Sequence, residues 1–474
     1  MSKLTVIKNG IAREVNYIGN PMLSEVLEGA GYSVPHPCGG RGVCAKCKVL
    51  INDTPELSCR YRLSDDEEIT VEIPDYEEMK QIELSGNGDV SFDDPMPGAV
   101  GTAIDIGTTT VAMRTYNLVT GELMNETGFI NPQTGIAADV IGRIEAAMSG
   151  KGEVLQEQIC EAIENALEEN EIDPDAMVIT GNTTMLYLLA GLNPESLSHA
   201  PFEADCLFDA RMNFGPTVAY FPPCMHAFVG ADISTAVLAS GMCESDDVSM
   251  LCDIGTNGEV VLWKGGKLYV SSTAAGPAFE GAGISCGCSS IPGAIDSVKL
   301  TDGKPEIHTI DDAPAAGVCG SGLIDAIAAF LDLGMIEETG GTDEDELVLA
   351  DGVAITPKDI SQVQLAKSAI ASGIATMLKE TGTEFSDVKK VYIAGGFGSH
   401  LNVRSAVRIG LLPEEFEDKI SVIGNAALTG ACRLLGDMEK IDAIRKIASI
   451  SSHVNLGGNP VFNNLYMENM MFPE

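Results

Sequence analysis

The apolar positions of this 474-residue chain change their spacing several times, and each change marks an element. Residues 3–18 alternate apolar and polar, the period of a strand pair, and turn at Asn9-Gly10. Residues 21–31, PMLSEVLEGAG, switch to helical spacing, starting on Pro and stopping at Gly. A strand from Lys48 to Ile51, a turn at Asn52–Pro55, a return to Cys59 and a strand near 69–73 follow. From 84 to 99 the text LSGNGDVSFDDPMPGA has no period, and its Gly, Pro, Ser and Asp predict a flexible linker.

Beyond the linker the pattern repeats itself. Residues 101–124, GTAIDIGTTTVAMRTYNLVTGELM, and 249–270, SMLCDIGTNGEVVLWKGGKLYV, share one layout: an apolar strand, Asp-Ile-Gly-Thr, a second strand, a tight Gly turn and a third strand. Asp105 and Asp253 lie 148 residues apart, which predicts two similar β-rich subdomains facing each other. Helical spacing appears at 136–149, 151–170, 184–191, 231–242, 321–333, 361–380 and 425–436. The predicted fold class is therefore α/β and multi-domain. It has a small module over 1–83, a linker over 84–99 and a two-lobed domain over 100–474. Lobe one covers about 100–243 with the C-terminal helices, and lobe two about 244–430.

Composition narrows the function. At 45% apolar residues the chain can bury sizeable cores, and no apolar run approaches a membrane span. MSKLTVIKNG reads straight into a strand without a signal-peptide stretch, so a soluble cytoplasmic protein with no membrane partner is expected. Thirteen cysteines in that setting argue for reduced thiols, as ligands or small buried residues. A net charge of −40 excludes nucleic acid as a partner, because phosphate backbones need Lys and Arg. Residues 1–97 hold nine Lys/Arg against 17 Asp/Glu, and five of those cations (Arg41, Lys46, Lys48, Arg60, Arg62) lie in or beside the loop CGGRGVCAKC. Two readings follow from the same Coulomb attraction: local compensation of an anionic centre, or a basic collar that docks an acidic redox partner.

That loop carries Cys38, Cys44 and Cys47, and Cys59 follows, in the spacing C-x5-C-x2-C-x11-C. Each iron of a 2Fe–2S centre needs two thiolates, and glycines let backbone N–H groups turn toward the sulfides. The order hairpin, helix, loop, hairpin, strand is that of a β-grasp ferredoxin. The spacing departs by one residue from the plant-type pattern and is similar to the adrenodoxin loop. The short return to the fourth cysteine resembles the iron–sulfur subunits of succinate dehydrogenase and fumarate reductase. A structural zinc site is the alternative, since four cysteines also satisfy tetrahedral zinc.

Asp105-Ile-Gly107-Thr108-Thr109 and Asp253-Ile-Gly255-Thr256-Asn257-Gly258 read as β-hairpin phosphate loops. Glycine lets the backbone approach phosphate, Thr and Asn donate hydrogen bonds, and each Asp can hold Mg²⁺ through water. One such turn would be an ordinary hairpin; two in register carry weight. A buried strand then ends in Gly395-Gly396-Phe397-Gly398, where backbone without side chains can lie against an adenosine. Further candidates are Asn182 of Gly181-Asn182-Thr183-Thr184 for the terminal phosphate and Gln133, with Asn131 and Asp139, for the attacking water. Gly320-Ser321-Gly322 opens a helix and is a candidate to offer N–H donors to a nucleotide. Each of these also reads as an ordinary helix cap. Cys286, Cys288 and Cys319 read as core residues rather than a second metal site.

The phosphate loops and the glycine motif together resemble the acetate and sugar kinase, heat-shock ATPase and actin (ASKHA) superfamily. Ala231–Gly241 and Asn425–Leu435 are similar to its two interdomain helices. With the cysteine loop in front, the whole chain resembles the ATP-dependent reductive activators of corrinoid proteins in anaerobic methyltransferase systems. The motifs that carry this are CGGRGVCAKC, IDIGTTTV, NPQTGIAADVIGRI, GNTTM, CDIGTNGE, AGPAFEGAGISCG, CGSGLIDAI, AGGFG and MENMMFPE. The resemblance implies a 2Fe–2S cluster on Cys38, Cys44, Cys47 and Cys59, with ATP and Mg²⁺ at Asp105, Thr108, Asp253, Thr256 and Gly395–Gly398. It implies an electron-transfer ATPase that reduces Co(II) of a corrinoid protein to Co(I), fed by a low-potential donor. There is no room between linker and first phosphate loop for the dimerisation domain of some relatives, and a homodimer is one assembly left open. Two alternatives share the phosphate loops. A small-molecule kinase has no use for four N-terminal cysteines, and an activator of a radical dehydratase or reductase normally shares a 4Fe–4S cluster across a dimer.

Overall fold

A computed structural model describes residues 2–8, 10–32, 34, 47–52, 54–64, 69–74, 90–395 and 400–474. Cys38, Cys44, Arg41, Lys46 and Gly396–Gly398 lie outside the described residues.

The N-terminal text folds into a five-stranded sheet in the order Ile11–Tyr17, Ser2–Lys8, Ile69–Ile73, Lys48–Ile51, Thr54–Leu57. Alternation sets which face is covered: Ile69, Val71 and Ile73 point inward while Thr70 and Glu72 are exposed. Ile69–Ile73 runs parallel to Ser2–Lys8 and antiparallel to Lys48–Ile51, so it sits at the centre. The helix Leu23–Gly29 lays Leu23 and Leu27 on that core, beside Leu4, Val6, Cys47 and Cys59.

The two repeated segments become two six-stranded sheets that share a five-strand layout and carry the sixth strand at opposite edges. The first runs Ala210–Phe214, Thr217–Phe221, Ala176–Gly181, Val100–Ile106, Thr110–Asn117, Leu123–Ile130. The second runs Ile420–Gly424, Lys390–Ala394, Ser249–Ile254, Gly258–Lys264, Lys267–Thr273, Ser451–His453. In each, the Asp-Ile-Gly-Thr strand pairs antiparallel with its hairpin partner and parallel with a later strand on its other side. Both central strands are buried almost throughout, as expected for sheets covered on two faces.

Two helices, Ala231–Ser240 and Ala426–Gly436, pack against each other between the sheets. A Cβ at Gly430 would run into the Thr235 carbonyl, so the helices can cross this closely only because position 430 lacks a side chain. The crossing is part of a continuous apolar core that reaches both sheets, through Ala103 and Val178 on one side and Leu251 and Val261 on the other.

Several boundaries move. The second half of the segment expected to be a flexible linker is anchored: Phe92 packs on Tyr116 with ring centroids 5.1 Å apart, and Met96 is buried. Met96 N donates to Leu435 O at 2.9 Å, and Asp175 Oδ2 accepts from the amides of Ala99 and Val100 at 2.7 and 3.0 Å. Two apolar anchors in a Gly- and Asp-rich text carry no period, which is why the pattern misses them. The helix expected over 136–149 begins later, at Val140, because Asp139 caps it by accepting from Gly142 N at 2.8 Å. The helix expected over 361–380 begins earlier, at Pro357, where Thr356 and Asp359 form a capping box. Residues beyond 430 divide: Lys440–Ser449 packs on Ala231–Ser240, whereas Ser451–His453 pairs with Lys267–Thr273 and Pro460–Glu468 packs on Pro357–Glu380. Among the described residues no helix is long and apolar enough to cross a membrane.

Candidate nucleotide cleft and thiol pair

Both Asp-Ile-Gly-Thr turns lie at corresponding strand ends, where Ile106 pairs with Val111 and Ile254 with Gly258. Their surroundings differ. Behind the first turn, Asn131 Nδ2 donates to Gly107 O at 2.9 Å, and Asn131 N to Thr109 O at 2.9 Å. Arg143 Nη2 donates to Thr108 O. Because C=O and N–H point opposite ways across a trans peptide, carbonyls of Gly107 and Thr108 held from behind turn the amides of Thr108 and Thr109 the other way. Arg143 is fully buried, and its remaining bonds go to Gln133 Oε1 and Ala137 O at 3.1 Å and Met185 Sδ at 2.9 Å. Desolvation pulls its pKa down to about 9, with Asp139 acting in the opposite direction. A guanidinium thus stands directly behind a turn suited to phosphate.

The second turn is faced by a carboxylate instead. Glu280, at the end of the short helix Pro277–Glu280, accepts from Thr256 Oγ1 at 2.9 Å and from Thr109 Oγ1 at 2.5 Å. The two hydroxyls, one from each turn, are 3.4 Å apart. Gly395 has φ +115°, and a Cβ there would strike the Ile254 carbonyl and lie 3.2 Å from Asp253 Oδ1. The glycine motif therefore begins directly on the second turn.

Acidic groups converge here from both lobes. Asp105, Asp232 and Asp253 are partly exposed, and Glu259 is buried. Burial raises Asp105 to about 6, opposed by Asn425, whose Nδ2 donates to Asp105 Oδ2 at 3.1 Å. Burial and then the charges of Asp105 and Glu280 raise Asp253 to about 7. Burial and then Asp105 and Asp253 raise Asp232 to about 8. Glu259 is pushed up by burial, then by Asp232 and Asp253. Carboxylates that raise one another's pKa favour an incoming cation, and oxygen donors suit Mg²⁺. Among the described residues no group of three His, Cys, Asp or Glu gathers at ligand spacing.

The expected site residues separate into two groups. Asp105, Thr109, Asp253, Thr256 and Gly395 come together with Gly107, Thr108, Gly255, Asn257 and Gly258 at the facing turns. Gln133 does not join them: it is 1% exposed, and its amide donates to Leu155 O at 2.8 Å while its oxygen accepts from Arg143. Its carboxamide is spent behind the first turn, so it is not presented to water in the cleft. Asn182 caps the helix Thr183–Leu189, accepting from Thr184 N at 3.1 Å. Gly320 and Ser321 are buried at the head of Gly320–Asp332, with Gly320 against the Phe279 carbonyl and Ser321 Oγ donating to Asp296 O at 2.9 Å. Sequence reasoning missed Arg143, Asp232, Glu259, Glu280 and Asn425. A charged residue inside an apolar helical stretch, as at Arg143 and Asp232, was the available signal.

In the N-terminal sheet, Cys47 and Cys59 bring their Sγ atoms to 3.2 Å, both buried and neither in a disulfide. One lies just before the strand Lys48–Ile51 and the other in the turn after Thr54–Leu57, strands that pair in register. Two sulfurs this close lie within reach of one tetrahedral metal, for which metal–sulfur bonds are about 2.3 Å. The donors fit thiolate ligation.

Paired sheets, paired turns and the interlobe helices make up a two-lobed α/β domain of the ASKHA type. Residues 100–245 match the RACo middle region, and residues 247–474 match the C-terminal domain of RACo, the ASKHA domain. The chain belongs to the family of ATP-dependent reductive activators of corrinoid proteins. It is 30% identical over 582 residues to the corrinoid activation enzyme RamQ of Eubacterium limosum, covering 98% of both chains. It is 27% identical to the [Co(II) methylated amine-specific corrinoid protein] reductase of Methanosarcina barkeri, over 77% of this chain and 76% of that one. Among solved structures, a reductive activator for a corrinoid, iron–sulfur protein superposes with a TM-score of 0.74 at 27% identity, covering 99% of this chain and 98% of that one.

Proposed function

We propose that this chain hydrolyses ATP to reduce the cobalt of a corrinoid protein from Co(II) to Co(I), in an anaerobic methyltransferase system. The observation that carries the reading is a two-lobed cleft of paired phosphate turns in a chain whose first sheet gathers buried thiols.

The chain's residues divide the work. Amides of Thr108 and Thr109, held outward by Asn131 and Arg143, and the hydroxyl of Thr256 bind phosphate oxygens, with Asn257 beside them. Asp105 and Asp253 hold Mg²⁺ through water, and Asn425 fixes the orientation of Asp105. Mg²⁺, when bound, neutralises the charge that develops on the transferred phosphoryl group. Asp232, at the head of an interlobe helix, takes the proton from the attacking water as the bond between the terminal phosphorus and ADP breaks. Gly395–Gly398 line the adenosine.

The N-terminal module is read as a β-grasp ferredoxin domain, with Cys38, Cys44, Cys47 and Cys59 holding a 2Fe–2S cluster. Such a cluster, when bound, carries one electron at about −400 mV in plant-type proteins. Each shortfall of about 59 mV costs tenfold in a one-electron equilibrium. The nucleotide-bound form binds the corrinoid protein in a state where Co(II) loses an axial ligand and accepts the electron; hydrolysis then releases the complex. A low-potential donor would supply that electron.

The test separates the two halves under anoxia, with reductant and a Co(II) corrinoid protein. Cys47→Ser is expected to abolish Co(I) formation and spare nucleotide binding, and Asp253→Ala to do the reverse to hydrolysis while keeping the visible spectrum. Phosphorylation of a small metabolite instead would return the chain to the kinases.

A further inference from the structure

We propose that Glu280 occupies, in the nucleotide-free chain, the seat of the terminal phosphate of ATP, so that ATP displaces its carboxylate and ADP does not. The inference rests on the reading of the cleft as a nucleotide site.

Three observations converge on it. First, Glu280 is bound by a hydroxyl from each turn, Thr109 Oγ1 on Oε2 at 2.5 Å and Thr256 Oγ1 on Oε1 at 2.9 Å. These are the donors that a group bridging both lobes must use. Each threonine hydroxyl has one proton, so it cannot serve a carboxylate and a phosphate oxygen together. Second, a carboxylate is a fair copy of a phosphate edge, since both present paired anionic acceptors. Third, Glu280 lies directly against the second turn: a Cβ at Gly255 would lie 3.3 Å from Oε1. A terminal phosphate brought there meets a like charge.

The segment is not a loose loop. Phe279 is 1% exposed, and its carbonyl packs against Gly320 at the head of the buried helix Gly320–Asp332. The neighbouring Phe279 thus anchors the segment, and the two hydroxyls hold the Glu280 carboxylate. ADP ends one phosphate short and leaves the carboxylate where it is. ATP must displace it, taking over both threonines, and loss of phosphate lets it return.

The experiment measures binding of Mg²⁺ with a non-hydrolysable ATP analogue, and of Mg²⁺ with ADP, to the full chain and to Glu280→Gln and Glu280→Ala. Both variants are expected to bind the ATP analogue at least about tenfold more tightly, with ADP changed less than about twofold, because only the competing charge is removed. Equal tightening for both nucleotides overturns the proposal, since Glu280 would then repel polyphosphate in general. Unchanged ATP affinity with slower turnover also overturns it and makes Glu280 a catalytic base. If the variants do not fold, hydrogen exchange in the wild-type chain decides. Amides over 276–283 should exchange faster with the ATP analogue and not with ADP; identical exchange with both overturns the seat. A wild-type chain that binds neither nucleotide overturns the cleft reading itself, and this inference with it.

Discussion

The two Asp-Ile-Gly-Thr turns each join an antiparallel hairpin whose first strand runs parallel to a later strand, yet one backs onto a cation and the other faces acids. Arg143 and Asn131 hold the carbonyls of the first turn from behind; Glu280 reaches the second from the cleft side, with Glu259 buried alongside. A repeated fold has been furnished differently at its two ends. In the proposed reading each turn contributes an Asp for the cation and donors for phosphate, and the first adds a positive field from behind. Asp232 and Asn425 sit at the heads of the two helices between the lobes, so the proposed proton acceptor and the side chain that bonds Asp105 both belong to the interlobe pair. A cleft assembled this way is complete only when both halves meet.

The largest expected effect breaks the second half. Asp253→Asn should lower ATP hydrolysis at least about a hundredfold, because it weakens the hold on the Mg²⁺ that would offset the charge of the transferred phosphoryl group. Steady-state phosphate release checks this, and iron content should not change. Next comes the first half. Arg143→Met leaves Thr108 O and Gln133 Oε1 without their buried donor and should cost about 3 kcal/mol of stability along with nucleotide affinity. Denaturant titration and nucleotide binding measure the two losses. A variant as stable as the parent would mean that the guanidinium does not organise the turn.

Asn425→Ala sharpens the link between halves. It removes the cap of Ala426–Gly436, worth about 1 kcal/mol, and also the hydrogen bond that lowers the pKa of Asp105. The acid limb of the rate profile should therefore move to higher pH. The smallest effect is on stability against pH without metal. Asp105, Asp253 and Asp232 titrate at about 6, 7 and 8 when folded against 3.8 for a free carboxyl, so the folded chain binds more protons than the unfolded one in that window. Stability should fall as pH rises from about 5 to about 8, by calorimetry, and Mg²⁺ with nucleotide should flatten the slope.

Much of this architecture could be read from residue order alone. The repeated Asp-Ile-Gly-Thr text announces both sheets because a hairpin is a local structure, and its turn residues sit next to the strands they join. The small-residue helices were legible for the same reason. What stayed hidden is contact across the lobes. Nothing adjacent to Glu280 says that it will reach Thr109, 171 residues away in sequence. Gln133 shows the opposite error: a polar residue beside a phosphate turn reads as a ligand, whereas burial has turned it inward to serve Arg143. The anchored stretch Val90–Ala99 was hidden because two apolar side chains are too few to set a period.

The central claim is that nucleotide makes cobalt accept an electron it otherwise refuses. Its most direct measurement is a redox titration of the corrinoid protein mixed with this chain, following Co(I) absorption with Mg²⁺ and ATP, with ADP, and with no nucleotide. The account predicts an apparent Co(II)/Co(I) midpoint less negative by more than about 59 mV with ATP alone. Coincident midpoints in all three mixtures would contradict it.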